Sequence, residues 1–270
     1  MTDSLSQGRA VAVAVGAHPD DIEFYFAGTL LRLKEKGAEI HVWNLANGSC
    51  GTALHDRDEI VRIRAQEARD SAAIAGAIAH EPLADDLALF HEPGLLARAA
   101  AVVREIKPAI ILAHSPQDYM EDHQNACRLA VSAAFARGMR NYATNPPREP
   151  WDGQTAIYHC VPHGLRDGLR RLVRSGQYVD VGPVMETKRK MLTQHRSQKD
   201  WLDASQGLGA YVSEMERFCR ELGRMSGLFQ YAEGWRRHLH IGFGAKDYDP
   251  LAQWLGDACW TDPEYERALG

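Results

Sequence analysis

The sequence predicts an α/β fold: a Rossmann-like, mostly parallel sheet with helices on both faces. Three observations lead there. Short apolar runs at Val11 to Val15, Glu39 to Leu45 and Ala109 to Ala113 read as buried strands. Stretches with helical spacing separate them, the rhythm of parallel strands joined by crossover helices. Histidines and carboxylates gather directly after the first and third of these runs, where open parallel sheets collect ligands.

The elements follow in order. Val11 to Val15 ends at Gly16, as a short doubly buried strand does. Phe24 to Lys36 places Phe26, Leu30 and Leu33 on one face, which predicts a single helix closed by Gly37. A second strand at Glu39 to Leu45 leads into a glycine-rich loop, Asn47-Gly48-Ser49-Cys50-Gly51. Asp58 to Ala75 and Leu95 to Glu105 have helical periodicity, Lys107-Pro108 interrupts it, and Ala109 to Ala113 is the third strand. Past the loop Asn145 to Pro150, strands are expected at Ala156 to Val161 and Tyr178 to Val181. Helices are expected from Pro183 to about Thr193 and from Tyr211 to Leu222. No repeat or linker-like stretch divides the chain, so one domain is expected over residues 1–270, with a core of about 10–240 and a C-terminal extension, 241–270.

Composition excludes several classes. The net charge of −5 is spread among interleaved basic and acidic residues, which gives no footprint for nucleic acid or an anionic membrane. The first apolar run is too short for a secretory signal, and no stretch reaches membrane-spanning length. The five cysteines are widely spaced without a CxxC pair, which suggests reduced thiols in a cytoplasmic protein.

The chemistry concentrates in two places. Ala17-His18-Pro19-Asp20-Asp21-Ile22-Glu23 packs an imidazole and three carboxylates into six residues before a helix. One carboxylate could serve the helix dipole, but crowding several costs energy unless a cation offsets them. A metal site at the carboxyl ends of the strands is the natural reading. The second cluster, Asp118 to Asn125, supplies a further ligand through Asp122-His123. Two nitrogens, one carboxylate and an open position form a common catalytic zinc pattern, in which the ion lowers the pKa of a coordinated water toward ~7. Asp20, next to the ligand Asp21, is then placed to act as general base.

These residues resemble the PIG-L/LmbE-like N-deacetylases, zinc enzymes that remove acetyl groups from N-acetylglucosamine-type amino sugars and conjugates. The resemblance rests on Ala17-His18-Pro19-Asp20-Asp21 and the later Asp122-His123. It extends through Gly48 and Gly51, Arg64-x-x-Glu67, Lys188 with His195-x-Ser197-Gln198, and Tyr231-Ala232-Glu233-Gly234. It implies His18, Asp21 and His123 as metal ligands and Asp20 as base, the same residues chosen from chemistry alone. It also implies Zn2+, with another divalent ion as the alternative, and a homo-trimer or homo-hexamer.

One departure stands out. Many members carry a histidine three residues before the ligand, where this chain has Met120. A thioether cannot stabilise an oxyanion. His163, in Pro162-His163-Gly164 after a strand, is one replacement. His238, alternating with His240 as on one strand face, is another, since in some family members a C-terminal histidine completes a neighbouring subunit's site. His159 reads as core and His195 as structural, whereas His114 is expected to support a ligand. Arg57 and Arg64 are candidates for binding an anionic group of the substrate, although Arg64 could instead pair with Glu67 one helical turn away. Two readings compete with the deacetylase: a magnesium-dependent nucleotide-sugar-binding enzyme, weakened by the lack of a complete phosphate loop, and a non-catalytic sugar-binding protein.

Overall fold

A computed structural model of the chain describes residues 10–198 and 210–270. Eight strands form one sheet in the order β3-β2-β1-β4-β5-β7-β6-β8. Strands β1 (Val11–Gly16), β2 (Glu39–Asn44), β3 (Ile78–His80), β4 (Ile110–Ala113) and β5 (Ala156–Cys160) pair in parallel. Strands β6 (Gln177–Asp180), β7 (Ala232–Arg237) and β8 (Cys259–Thr261) extend the sheet through antiparallel pairings. The sheet is therefore mostly parallel, with a mixed edge. Its eighth strand comes from the C-terminal extension, which joins the same sheet as the core.

The helices are α1 (Asp21–Tyr25), α2 (Ala27–Glu35), α3 (Arg57–Ala75), α4 (Pro93–Ile106), α5 (Glu121–Ala136), α6 (Met185–Leu192), α7 (Ala210–Ser226), α8 (Pro250–Leu255) and α9 (Pro263–Ala268). Alternation along β1 divides the core. Ala12 and Ala14 pack toward α1, α2 and α6, while Val13 and Val15 pack toward α4 and α5. Among the described residues no helix is long and apolar enough to cross a membrane.

The structure differs from the sequence reading at four points. The helix expected over Phe24 to Lys36 is two helices meeting at Phe26. The break frees the N–H groups of Gly28 and Thr29, which donate to the Glu233 carboxylate at 2.8 and 2.7 Å. Buried Lys188 pairs with the same carboxylate and donates to Phe24 O at 3.0 Å. Strand β3 was not anticipated: it is three residues long and mostly exposed, so it lacks an apolar signature. Helix α5 was also missed, and it carries Asp122 and His123 in its first turn. His238 and His240 follow the end of β7 and do not share a strand face.

The chain order creates the site. Strand β1 has β2 on one side and β4 on the other. The connections after β1 and β4 therefore depart in opposite directions and leave a crevice between them, the usual ligand position of an open α/β sheet.

Candidate active site

The loop after β1 and the first residue of α1 supply His18, Asp20 and Asp21; the loop after β4 and the start of α5 supply Asp118, Met120, Asp122 and His123. One donor atom from each of His18, Asp21 and His123 lies within 4.8 Å of the others. Asp21 is heavily held: Oδ2 accepts the N–H groups of Ala17 and His18 at 3.1 and 2.7 Å, and lies 3.1 Å from His114 Nε2. Its Oδ1 is 3.4 Å from His123 Nε2, a buried nitrogen with no hydrogen bond among the described residues. Each ligand-type imidazole is backed by a second carboxylate. His18 Nε2 sits 3.0 Å from Asp122 Oδ2, and His123 Nδ1 sits 3.1 Å from Asp118 Oδ2. A carboxylate behind each histidine is the usual way that metal-ligating imidazoles are oriented.

These residues suit a divalent cation. Burial opposes charge on His18, but the Asp122 and Asp21 carboxylates lift its pKa to about 9. His123 is lifted against burial to about 10 by Asp21 and Asp118. The site therefore holds protons where an ion could replace them. His114, Asp118 and His123 also come within 4.8 Å of one another. The His114 and His123 rings, however, stack at 3.9 Å and 19°. Their in-plane lone pairs run side by side instead of converging, so His114 is better placed to brace Asp21 than to bind an ion.

Asp20 stands next to this group with φ at 111°, a left-handed backbone strained for a residue with a β-carbon. Burial pushes its carboxyl pKa up, and the Arg64 guanidinium opposes that rise. Arg64 Nη2 lies 3.4 Å from Asp20 Oδ2 and also donates to Pro19 O. A β-carbon at Gly48 or Gly51 would collide with the Arg64 side chain, so the glycine loop is the close-fitting roof over this arginine. Glu67 does not pair with Arg64. It accepts the Ser197 N–H and Oγ–H at 2.8 and 2.7 Å, tying the His195-to-Gln198 segment to α3.

The surrounding pocket, about 430 Å³, draws on the loops after all five parallel strands. Met120 and His163 line it, together with Tyr25, Leu87, Tyr119, Tyr211 and Glu214. The His163 ring packs between Phe24 at 5.6 Å and Phe218 at 6.2 Å, with Nε2 3.6 Å from Glu214 Oε1. Other candidates lie elsewhere. Arg57 is exposed and held by Asp85 and Asp58 outside the pocket lining. His238 Nδ1 is 2.9 Å from His159 Nε2 and also lies outside this lining. Glu23 turns away toward buried His195, 3.1 Å distant. Sequence reasoning missed Tyr211, which hydrogen-bonds Asp20, and Glu214. Both sit on α7, and nothing local in the sequence says which face of that helix meets the pocket.

Comparison with known proteins agrees with this geometry. Residues 13–135 match the PIG-L family profile, described as GlcNAc-PI de-N-acetylase. That part of the chain is similar to the PIG-L family. A diacetylchitobiose deacetylase from Thermococcus kodakarensis is 26% identical over 231 residues, covering 83% of this chain and 81% of that protein. A 4-oxalmesaconate hydratase from Pseudomonas putida is 29% identical over 171 residues, 59% of this chain and 64% of that protein. The structure of N,N'-diacetylchitobiose deacetylase from Pyrococcus horikoshii superimposes with a TM-score of 0.72 at 21% identity, covering 89% of this chain and 88% of that one. That likeness shows a shared fold. The matched PIG-L segment contains His18, Asp20, Asp21 and His123, and ends in α5.

Proposed function

We propose that this protein is a zinc-dependent hydrolase that removes the acetyl group from an N-acetylglucosamine-type amino sugar or glycoconjugate. The observation that carries the reading is the convergence of His18, Asp21 and His123 beside Asp20 at the sheet's crevice. The likeness to a diacetylchitobiose deacetylase over most of the chain supports the substrate class. Two imidazoles with one carboxylate suit zinc, whereas magnesium favours an all-oxygen shell. When bound, such an ion polarises an acyl carbonyl and acidifies a water.

The chain's own residues handle the protons. Asp20, with its raised proton affinity, takes the proton of the attacking water and returns it to the departing amine. Arg64 and Tyr211 keep the Asp20 carboxylate in place. His163, whose pKa is lowered by burial, is a neutral imidazole at pH 7. It supplies the hydrogen bond to the developing oxyanion that Met120 cannot.

A second reading, hydration of a polycarboxylate, follows from the Pseudomonas putida relative. The pocket chemistry opposes it. Among the described residues, Asp20, Asp21, Asp86, Asp122 and Glu214 line the pocket against a single guanidinium, that of Arg64, which already serves Asp20 and Pro19. Amine release from a panel of N-acetylated sugars, after chelation and with zinc restored, tests the proposal. A parallel hydration assay on 4-oxalmesaconate discriminates the two readings. Zinc-dependent amine release is expected. Hydration without amine release from any sugar would overturn the assignment.

A further inference from the structure

We propose that Leu87, with Tyr119 and Met120, forms an apolar lip that receives a hydrophobic substituent of the substrate beside its acetamide. On this account, which rests on the deacetylase reading above, the preferred substrate is an N-acetyl amino sugar bearing an aryl or alkyl group, not the free sugar.

Leu87 and Tyr119 are 67% and 54% exposed, yet both line the same pocket as His18 and His123. Leu87 also has φ at 61°, a left-handed conformation unfavourable for a leucine. The surroundings enforce it. The Leu87 N–H donates to Asp122 Oδ2 at 2.8 Å. Its neighbour Asp86 accepts the N–H groups of Gly48 and Cys50 at 2.7 and 2.9 Å. Asp85 accepts from Asn47 Nδ2 at 2.6 Å. The loop is thus fastened to the glycine loop, and its tip presents an apolar side chain to water at the pocket mouth. Neither the strained backbone nor the exposed leucine contributes to burial within the chain, and strain of this kind collects where ligands are gripped. Met120 extends the apolar character of the wall. The lip also touches the ligand set, because Asp122 Oδ2 serves both the Leu87 N–H and His18 Nε2, at 2.8 and 3.0 Å.

The test compares methyl and phenyl β-glycosides of N-acetylglucosamine with zinc-loaded enzyme. Wild type should favour the phenyl glycoside by about ten-fold in kcat/KM, chiefly through KM. Leu87→Gly keeps the N–H to Asp122, and Leu87→Asn tolerates the same backbone. In both variants the phenyl-to-methyl ratio should fall to within about two-fold. A wild-type ratio near one, or a ratio that survives both substitutions, overturns the lip. If neither glycoside releases amine, calorimetric binding of phenyl and methyl β-glucosaminide separates the two ideas. Tighter phenyl binding that is lost in the Leu87 variants upholds the lip and removes only the deacetylase reading; equal binding removes the lip.

Discussion

His18 Nε2 lies 3.0 Å from Asp122 Oδ2, although 104 residues separate them in the chain. The contact leaves the other ring nitrogen, Nδ1, to face Asp21 Oδ2 at 3.6 Å. Asp122 therefore selects which nitrogen of His18 is free for an ion. Asp118 does the same for His123. Asp122→Asn and Asp118→Asn should each weaken zinc binding by about 10–100-fold without unfolding the protein. Competition with a chromophoric chelator measures this, and unchanged affinity in both variants would show that these carboxylates do not orient the ligands.

On the deacetylase reading, Asp20 is a base and not a metal ligand. Asp20→Asn should retain zinc at wild-type stoichiometry and lose about 10²–10⁴-fold in kcat. Metal analysis beside steady-state kinetics checks both halves. Turnover within a few-fold of wild type would remove Asp20 from proton transfer.

The raised histidine pKa values predict opposite pH trends with and without metal. Burial opposes the charge on His18 and His123, yet their carboxylate partners hold the protons to about 9 and about 10, against about 6.5 in an unfolded chain. In the metal-free protein their contribution to stability is complete below about pH 6.5 and is lost as pH rises toward 9–10. Zinc needs neutral imidazoles, so its affinity should rise with pH over the same interval, by up to about 100-fold per unit if two protons leave. Melting temperatures of chelated protein should fall between pH 6.5 and 9.5. A rise there would contradict the pairing.

The buried pair of Lys188 and Glu233 closes the gap between α1 and α2. Glu233→Ala strands a buried ammonium and two helix N–H groups, and should cost about 3–5 kcal/mol in urea unfolding. The Lys188→Met, Glu233→Leu double variant should cost less than the sum of its single changes. Strict additivity would mean that the two side chains act independently.

Local pattern made most of the parallel sheet legible. The strands expected from apolar runs at Val11, Glu39, Ala109 and Ala156 correspond to β1, β2, β4 and β5. β3 escaped notice because an exposed edge strand of three residues needs no apolar alternation. α5 escaped because its first turn is polar, with Glu121, Asp122 and His123 turned to site chemistry instead of helix patterning. The crowded loop after β1 was readable because imidazole and carboxylates within six residues have few structural uses. Its partners Tyr211, Glu214 and Leu87 were not readable, since their roles depend on which distant loop they meet.

The sequence alone thus determined the fold class and the kinds of donor atom available, because burial periodicity and ligand chemistry are written locally. Only the tertiary structure decided which carboxylate stands behind which imidazole, that Glu23 serves His195 instead of the pocket, and that Arg64 leans on Asp20 instead of Glu67. Those choices follow from strand order. The reversal between β1 and β4 brings residues about a hundred positions apart to hydrogen-bonding distance, and spacing along a chain carries no record of that distance.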